Sequence, residues 1–236
     1  MSNRSFGFGL APTIRVRALC AALLLCVGCG NGAKSTPPPV CGQACQDGVA
    51  LRGLRTMIKI AYDSLVQGNP VGAQDVMHSC VYQGTVHIHG LATVNALQGD
   101  TFLGDSQAVP PVPFTYDFVD CRWIEPQQAT AEENFDLTLN GSVGELGTLA
   151  QQPTANTVLA FTAGGLHLAG TVYDAPIHYD QFWNVKAGQE GNAMSACICT
   201  PEADGGTDAG ATGDAGVSCG VDSGFDCRTA SFTFND

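Results

Sequence analysis

The stretch TVHIHG, residues 85–90, sets two histidines one residue apart. Side chains alternate between faces along an extended strand, so His87 and His89 project from the same side about 7 Å apart. At that spacing two imidazoles can share one zinc or iron ion. IHYD, residues 177–180, repeats the interval with His178 and Asp180, and His167 stands on a third candidate strand. Two histidines and a carboxylate suffice for a non-haem metal if these strands converge. The expected metal set is therefore His87, His89, His178 and Asp180. The same alternation has a plainer reading, in which His87 and His89 are polar residues on a wet face opposite Val86 and Ile88.

GTVHIHG also resembles the first motif of the cupin family, which carries His-x-His on a β-barrel strand. GLATVN follows where the cupin pattern places a glutamate, and Gly170, Pro176 and His178 match part of the second motif. The resemblance covers two strands and implies that the His-x-His pair sits on a β-barrel strand. Other catalytic patterns are missing. The chain has no G-x-S-x-G, no H-E-x-x-H and no phosphate loop. Glu132 and Glu133 are adjacent, so on a strand they face opposite ways and cannot serve one site. Trp123 and Trp183 are expected in the core or at its rim. Asp204, Asp208, Asp214, Asp222 and Asp226 suggest a calcium loop, but neither the EF-hand spacing nor the nonapeptide glycine repeat is present. The reading leans away from an enzyme. No resident cofactor is expected, zinc and calcium being the ions that these donors would accept.

The elements that must hold these residues follow from periodicity. Leu51, Leu54, Ile58, Ala61 and Leu65 recur at helical spacing, with Asp47 as the expected N-cap and QGNP (residues 67–70) as the stop. Arg52, Arg55, Lys59 and Asp63 fall largely away from that stripe and are expected on a solvated face. After residue 80 the period becomes two. NFDLTLNGSV sets Phe135, Leu137, Leu139 and Val143 on one side, and PFTYDFV does the same with Phe114, Tyr116 and Phe118. Similar runs cover 81–88, 157–161, 166–173, 177–185, 194–200 and 229–234, separated by the turn formers QGD, NGS, AGG and DAP. The expected fold is α+β. One N-terminal amphipathic helix packs on a curved antiparallel β-meander of about eight strands, stapled by disulfides.

The N-terminus reads as an address, either cut and lipidated or cut with release, with a cytosolic apolar helix as the remaining alternative. Arg4, Arg15 and Arg17 precede a short apolar run, residues 18–27, whereas a spanning helix needs about 20 apolar residues. The run ends at Cys26-Val27-Gly28-Cys29, and here the chain resembles the bacterial lipoproteins of the lipobox signal class. In that class the cysteine after the cut receives lipid, which implies lipidation at Cys29. The family usually has Leu, Val or Ile where Cys26 stands. Gly30 is not the aspartate that retains such proteins at the inner membrane, so the resemblance implies the outer membrane, on its periplasmic face or at the cell surface. Residues 1–28 then form the signal peptide and 29–40 a proline-rich stalk of extended character. Residues 41–236 form one domain, with a Gly/Asp-rich flexible insert at 201–226.

Composition agrees with export. The chain has 22 acidic and 10 basic residues and a formal charge of −12. Nucleic-acid binding needs clustered Lys and Arg to displace counterions, so it is excluded as a partner class. Beyond the proposed lipid site eight cysteines remain: Cys41, Cys45, Cys80, Cys121, Cys197, Cys199, Cys219 and Cys227. An even set in an exported chain reads as a disulfide framework. Cys197 and Cys199 share a strand face and are expected to bond to different partners; zinc binding by these thiols is the rival. The expected function is a lipid-anchored envelope protein with a non-enzymatic role. That role is structural, or the binding of an unknown protein or small apolar ligand between helix and sheet. The alternative is a metal-binding protein or metalloenzyme centred on the His-x-His pair.

Overall fold

The computed structural model describes residues 41–66, 72–94, 99–125, 134–150, 157–173, 177–201 and 225–233. The signal region with Cys29, the stalk, Glu132, Glu133, Cys219 and most of the Gly/Asp-rich insert lie outside the described residues. What is described is mostly antiparallel sheet with one helix and disulfides.

The helix, α1 (Gln43–Val66), is an internal element of the chain rather than an N-terminal one. It begins a turn before the expected N-cap, so Asp47 lies inside it and is fully buried. The early start has a local cause. Residues four apart face each other on a helix, and the Cys41–Cys45 disulfide closes that first turn, where the Gln46 amide donates to Gly42 O at 3.0 Å. The predicted stripe is present, with Leu51, Leu54 and Ile58 almost wholly buried. Ala50, Gly53 and Met57 are buried as well, because the helix is enclosed on more than one side. A β-carbon on Gly53 would lie 2.9 Å from Leu137 Cδ1, so the lack of a side chain lets helix and sheet approach closely. Arg55 corrects the expectation of a solvated basic face. It is only 8% exposed, and its Nε donates to Gln189 Oε1 at 2.6 Å. Lys59 and Asp63 remain outside and pair with each other at 2.8 Å.

Among the described residues nine strands make the sheet, where about eight were expected: β1 (Gly72–Ser79), β2 (Gln83–Val94), β3 (Thr101–Leu103), β4 (Phe114–Glu125), β5 (Phe135–Leu149), β6 (Val158–Val172), β7 (Ile177–Glu190), β8 (Ala193–Pro201) and β9 (Phe225–Thr233). Neighbours in sequence are neighbours in space, with one refinement. The row between β2 and β5 is shared, β4 filling most of it and the short β3 its end. The edge strand β1 escaped the sequence reading because none of its side chains is fully buried and the apolar residues of GAQDVMHS do not alternate. The runs at 157–161 and 166–173 are one strand, β6, so AGG is not a turn.

The reason is a crease. In β4 the inward set passes from even positions (Phe114, Tyr116, Phe118) to odd ones (Cys121, Trp123). In β6 it passes from odd (Leu159, Phe161) to even (Leu166, Leu168). Each switch marks one extra residue, a β-bulge, against an unbroken neighbour. The amides that lose their ladder partners are served by asparagines of those neighbours. Asn140 Oδ1 accepts from the Asp120 amide at 2.7 Å, and Asn184 Oδ1 accepts from the Gly165 amide at 2.8 Å. Gly84 on β2 makes room for the first bulge. Its φ is +85°, and a β-carbon there would meet Asp120 O at 2.2 Å. Bulges bend a strand and increase its twist, and here they fall next to one another across four strands, β4 to β7. The sheet thereby curves around α1.

Candidate functional site

Val86 and Ile88 face α1 and are buried, so β2 must present His87 and His89 on the outer face. The register then supplies their neighbours. Asp117 on β4 stands directly opposite His87, Asp75 on β1 opposite His89, and Ser142 on β5 opposite Asp117. Four adjacent strands thus contribute to one polar row. His89 Nε2 lies 3.0 Å from Asp117 Oδ2, and His87 Nδ1 lies 3.7 Å from the same oxygen. His87 Nε2 reaches diagonally to Asp75 Oδ1 at 2.6 Å. The Ser142 hydroxyl donates to the other Asp117 oxygen, Oδ1. The two imidazole rings lie 4.8 Å apart, tilted by 30°. Ligand atoms of His87, His89 and Asp117 all fall within 4.8 Å of one another.

The electrostatics favour an ionised Asp117. Partial burial opposes the charge, but the bonds from Ser142 and His89, with the nearby His89 and His87 rings, hold its carboxyl below the usual range. All three side chains stay roughly one-third to two-fifths exposed, so solvent reaches them.

The other two members of the expected metal set are elsewhere. His178 and Asp180 occupy the same outer face on β7, but β4, β5 and β6 lie between them and β2. Four strand spacings amount to about 19 Å, too far to share an ion with His87 and His89. The expected convergence of His87, His89, His178 and Asp180 does not occur, because a meander separates strands distant in sequence. Asp180 instead pairs with His167, Nε2 to Oδ1 at 2.7 Å, and the His167 ring stacks on Phe182 at 4.3 Å.

Inside the sheet a different set of polar groups is consumed by pairing. Asp47 accepts from Tyr179 OH at 2.5 Å, from Gln43 Nε2 at 3.0 Å and from the Arg228 guanidinium through both Nε and Nη2. Trp183 Nε1 donates to Tyr179 OH at 3.0 Å. Burial, with Asp47 beside it, pushes the Tyr179 hydroxyl well up, so it stays protonated and donates. Glu145, also buried, accepts from Tyr116 OH at 2.6 Å; burial raises its carboxyl above the ordinary value despite that bond and the Arg55 charge.

A groove of about 120 Å³ opens where the second half of α1 meets β1, β2 and β4. Met57, Ile60, Phe118 and Trp123 form its apolar walls, the Cys80–Cys121 disulfide closes one end, and His78 lines it. His78 Nε2 is buried and has no hydrogen-bond partner. The space expected between helix and sheet is not open beside Phe114, Tyr116 and Leu137, which are fully buried; of that row only Phe118 reaches the groove.

Cys199 bonds to Cys227, its direct cross-strand neighbour on β9, and the two flank residues 202–224. Cys197 is also disulfide-bonded, so these sulfurs are not thiolate ligands although they cluster. Of the aspartates considered for calcium only Asp226 is described, 3.7 Å from Arg228 Nη1. No helix among the described residues is long and apolar enough to cross a membrane. Sequence reasoning missed Asp117, Asp75, Ser142 and His78. The outward parity of Asp117 between Tyr116 and Phe118 was the one available signal. No protein-family model matches this chain, no curated protein is recognisably similar to it, and no solved structure matches its fold.

Proposed function

We propose that this chain is an exported bacterial lipoprotein, anchored through Cys29 to the outer membrane, whose body has a non-enzymatic binding role. The observation that carries export is the cysteine pairing. Cys41–Cys45, Cys80–Cys121 and Cys199–Cys227 staple the start of the helix, the hairpin beside the crease and the last two strands. Such a framework persists in an oxidising compartment and is rare in a reducing cytosol. The basic, short-apolar, Gly-Cys leader supports the lipid as the anchor.

The binding role is supported by the groove and by the fate of the interior polar groups, which are bonded to one another rather than gathered around an open space. A recess of this size takes a ligand of about one aromatic ring. His78 Nε2 is the buried polar atom of the lining that has no partner, so the fitting class is a small, mainly apolar molecule with a group that hydrogen-bonds to it.

The anchor is tested in the native host by labelling with an alkyne-tagged fatty acid. Labelled protein in the membrane fraction is expected, with label and membrane association both lost in Cys29→Ala. Uncleaved, unlabelled protein in the cytosol with reduced thiols would refute the proposal. The groove is tested with phenol as probe, by NMR shifts at Met57 and Trp123 that His78→Ala weakens. Absence of any shift at saturating phenol removes the apolar-ligand role and leaves the anchor standing.

A further inference from the structure

We propose that His87, His89 and Asp117 form a binding site for a borderline divalent transition metal of the zinc class, set on the outer face of the sheet. The proposal does not depend on the lipid anchor or on the groove. It rests on three features of the geometry.

The first is the fit of the donors. Zinc holds imidazole nitrogen and carboxylate oxygen at about 2.0–2.2 Å, which places tetrahedral ligands roughly 3.3 Å from one another. The two separations to Asp117 Oδ2, 3.0 Å from His89 Nε2 and 3.7 Å from His87 Nδ1, bracket that value. The remaining adjustment lies between two half-exposed rings, which small side-chain rotations accomplish.

The second is the division of labour on each ligand. A metal-bound histidine characteristically donates its other ring N–H to a carboxylate, and ligating carboxylates are themselves hydrogen-bonded. His87 turns Nδ1 toward Asp117 and Nε2 to Asp75. Asp117 turns Oδ2 to the histidines and Oδ1 to the Ser142 hydroxyl. Each of these two groups thus has one atom facing the common point and one atom held by an outer partner. A chance surface pair needs neither Asp75 nor Ser142.

The third is the framework. The donors stand at fixed register positions on β2 and β4, in the interior of the sheet, with buried side chains beneath them. Rigid strands hold ligand geometry better than loops do. Two imidazoles and one carboxylate select zinc-class metals over calcium or magnesium, which prefer all-oxygen shells. Three protein donors leave at least one position for water or for a donor from outside, and the exposure of the site admits either.

The test uses the full mature protein in detergent, purified without a histidine tag and stripped with chelator, titrated calorimetrically with zinc. One equivalent per chain is expected. His89→Ala and Asp117→Asn should each weaken binding by about tenfold or more, and Asp75→Asn, which removes no ligand, by about tenfold. His167→Ala, at the distant His–Asp pair, should leave the affinity unchanged. Nitrogen-15 spectra of the rings add a local readout: zinc should shift Nδ1 of His87 and Nε2 of His89. If His89→Ala does not fold, Asp75→Asn and the ring spectra decide. Absence of stoichiometric zinc, undiminished binding in His89→Ala or Asp117→Asn, or an equal loss in His167→Ala overturns the proposal.

Discussion

The two faces of the sheet use aspartate in opposite ways. On the inner face Asp47 is wholly enclosed, and its oxygens are taken by Tyr179, Gln43 and Arg228. On the outer face Asp117 keeps its Oδ2 turned to two half-exposed imidazoles. The interior group has no capacity left for a ligand and serves to lock α1 to the sheet. The exterior group is only lightly buried, so the fold depends on it little and its oxygen remains available. Chemistry is therefore sought on the convex surface, and stability in the trough.

Mutations at the two aspartates should diverge most. Asp47→Ala removes the buried acceptor of Tyr179 OH and of Arg228 Nε and Nη2, leaving Arg228 with Asp226 and Thr200, and is expected to cost about 3 kcal/mol, read as a fall in the denaturant midpoint. Replacing Cys199 and Cys227 together by serine removes a cross-link that spans 28 residues of sequence; chain entropy predicts a loss of about 3.5 kcal/mol. Both should exceed by far the effect of Asp117→Asn, expected under about 1 kcal/mol in the absence of metal, as for exposed ion pairs. A large loss at Asp117, or a small one at Asp47, would erase the contrast.

A pH series sharpens it further. Burial raises Glu145, so the folded state binds its proton more tightly than the unfolded chain does. Its contribution is fully present below the unfolded value and lost as pH rises through the folded one. Asp117 is lowered and has the opposite sign: its contribution is present above the unfolded value and lost as pH falls through the folded one. Stability measured from pH 5 to 8 should therefore shift in favour of Glu145→Gln relative to the parent as pH rises. Asp117→Asn should lie below the parent by a constant amount over this range and converge with it only in acid. The smallest effect is expected at His167→Ala, where an exposed pair with Asp180 is lost and the midpoint should hardly move.

Local rules made much of the fold legible. Alternation placed His87, His89 and the aromatic residues of β4 on their correct faces, and helical spacing located α1. The Gly-rich NGS and AGG read as turns because glycine at positive φ serves turns and bulges alike. The change of parity from Phe118 to Cys121 and from Phe161 to Leu166 was the better guide. Asp47 shows a similar competition. It lies four residues before Leu51 on the apolar stripe, yet its preference for helix N-termini suggested a cap. Its true partners, Tyr179 and Arg228, are more than 130 residues away, and no local pattern encodes them. Half of the candidate metal site was visible for the same reason that half was hidden. The His-x-His spacing is a property of one strand, whereas Asp117, Asp75 and Ser142 arrive through strand register, which depends on the whole meander.

The bond between Asp47 and Arg228 joins α1 to β9 across 181 residues of sequence. A ribosome delivers the helix early and the last described strand late. Throughout that interval the helix carries an acid whose cationic counterpart has not been made, and the trough lacks the strand that completes its wall. The last described strand therefore completes both the ion pair and the packing beside α1, and a chain cut before Phe225 would leave the Asp47 carboxylate without its guanidinium.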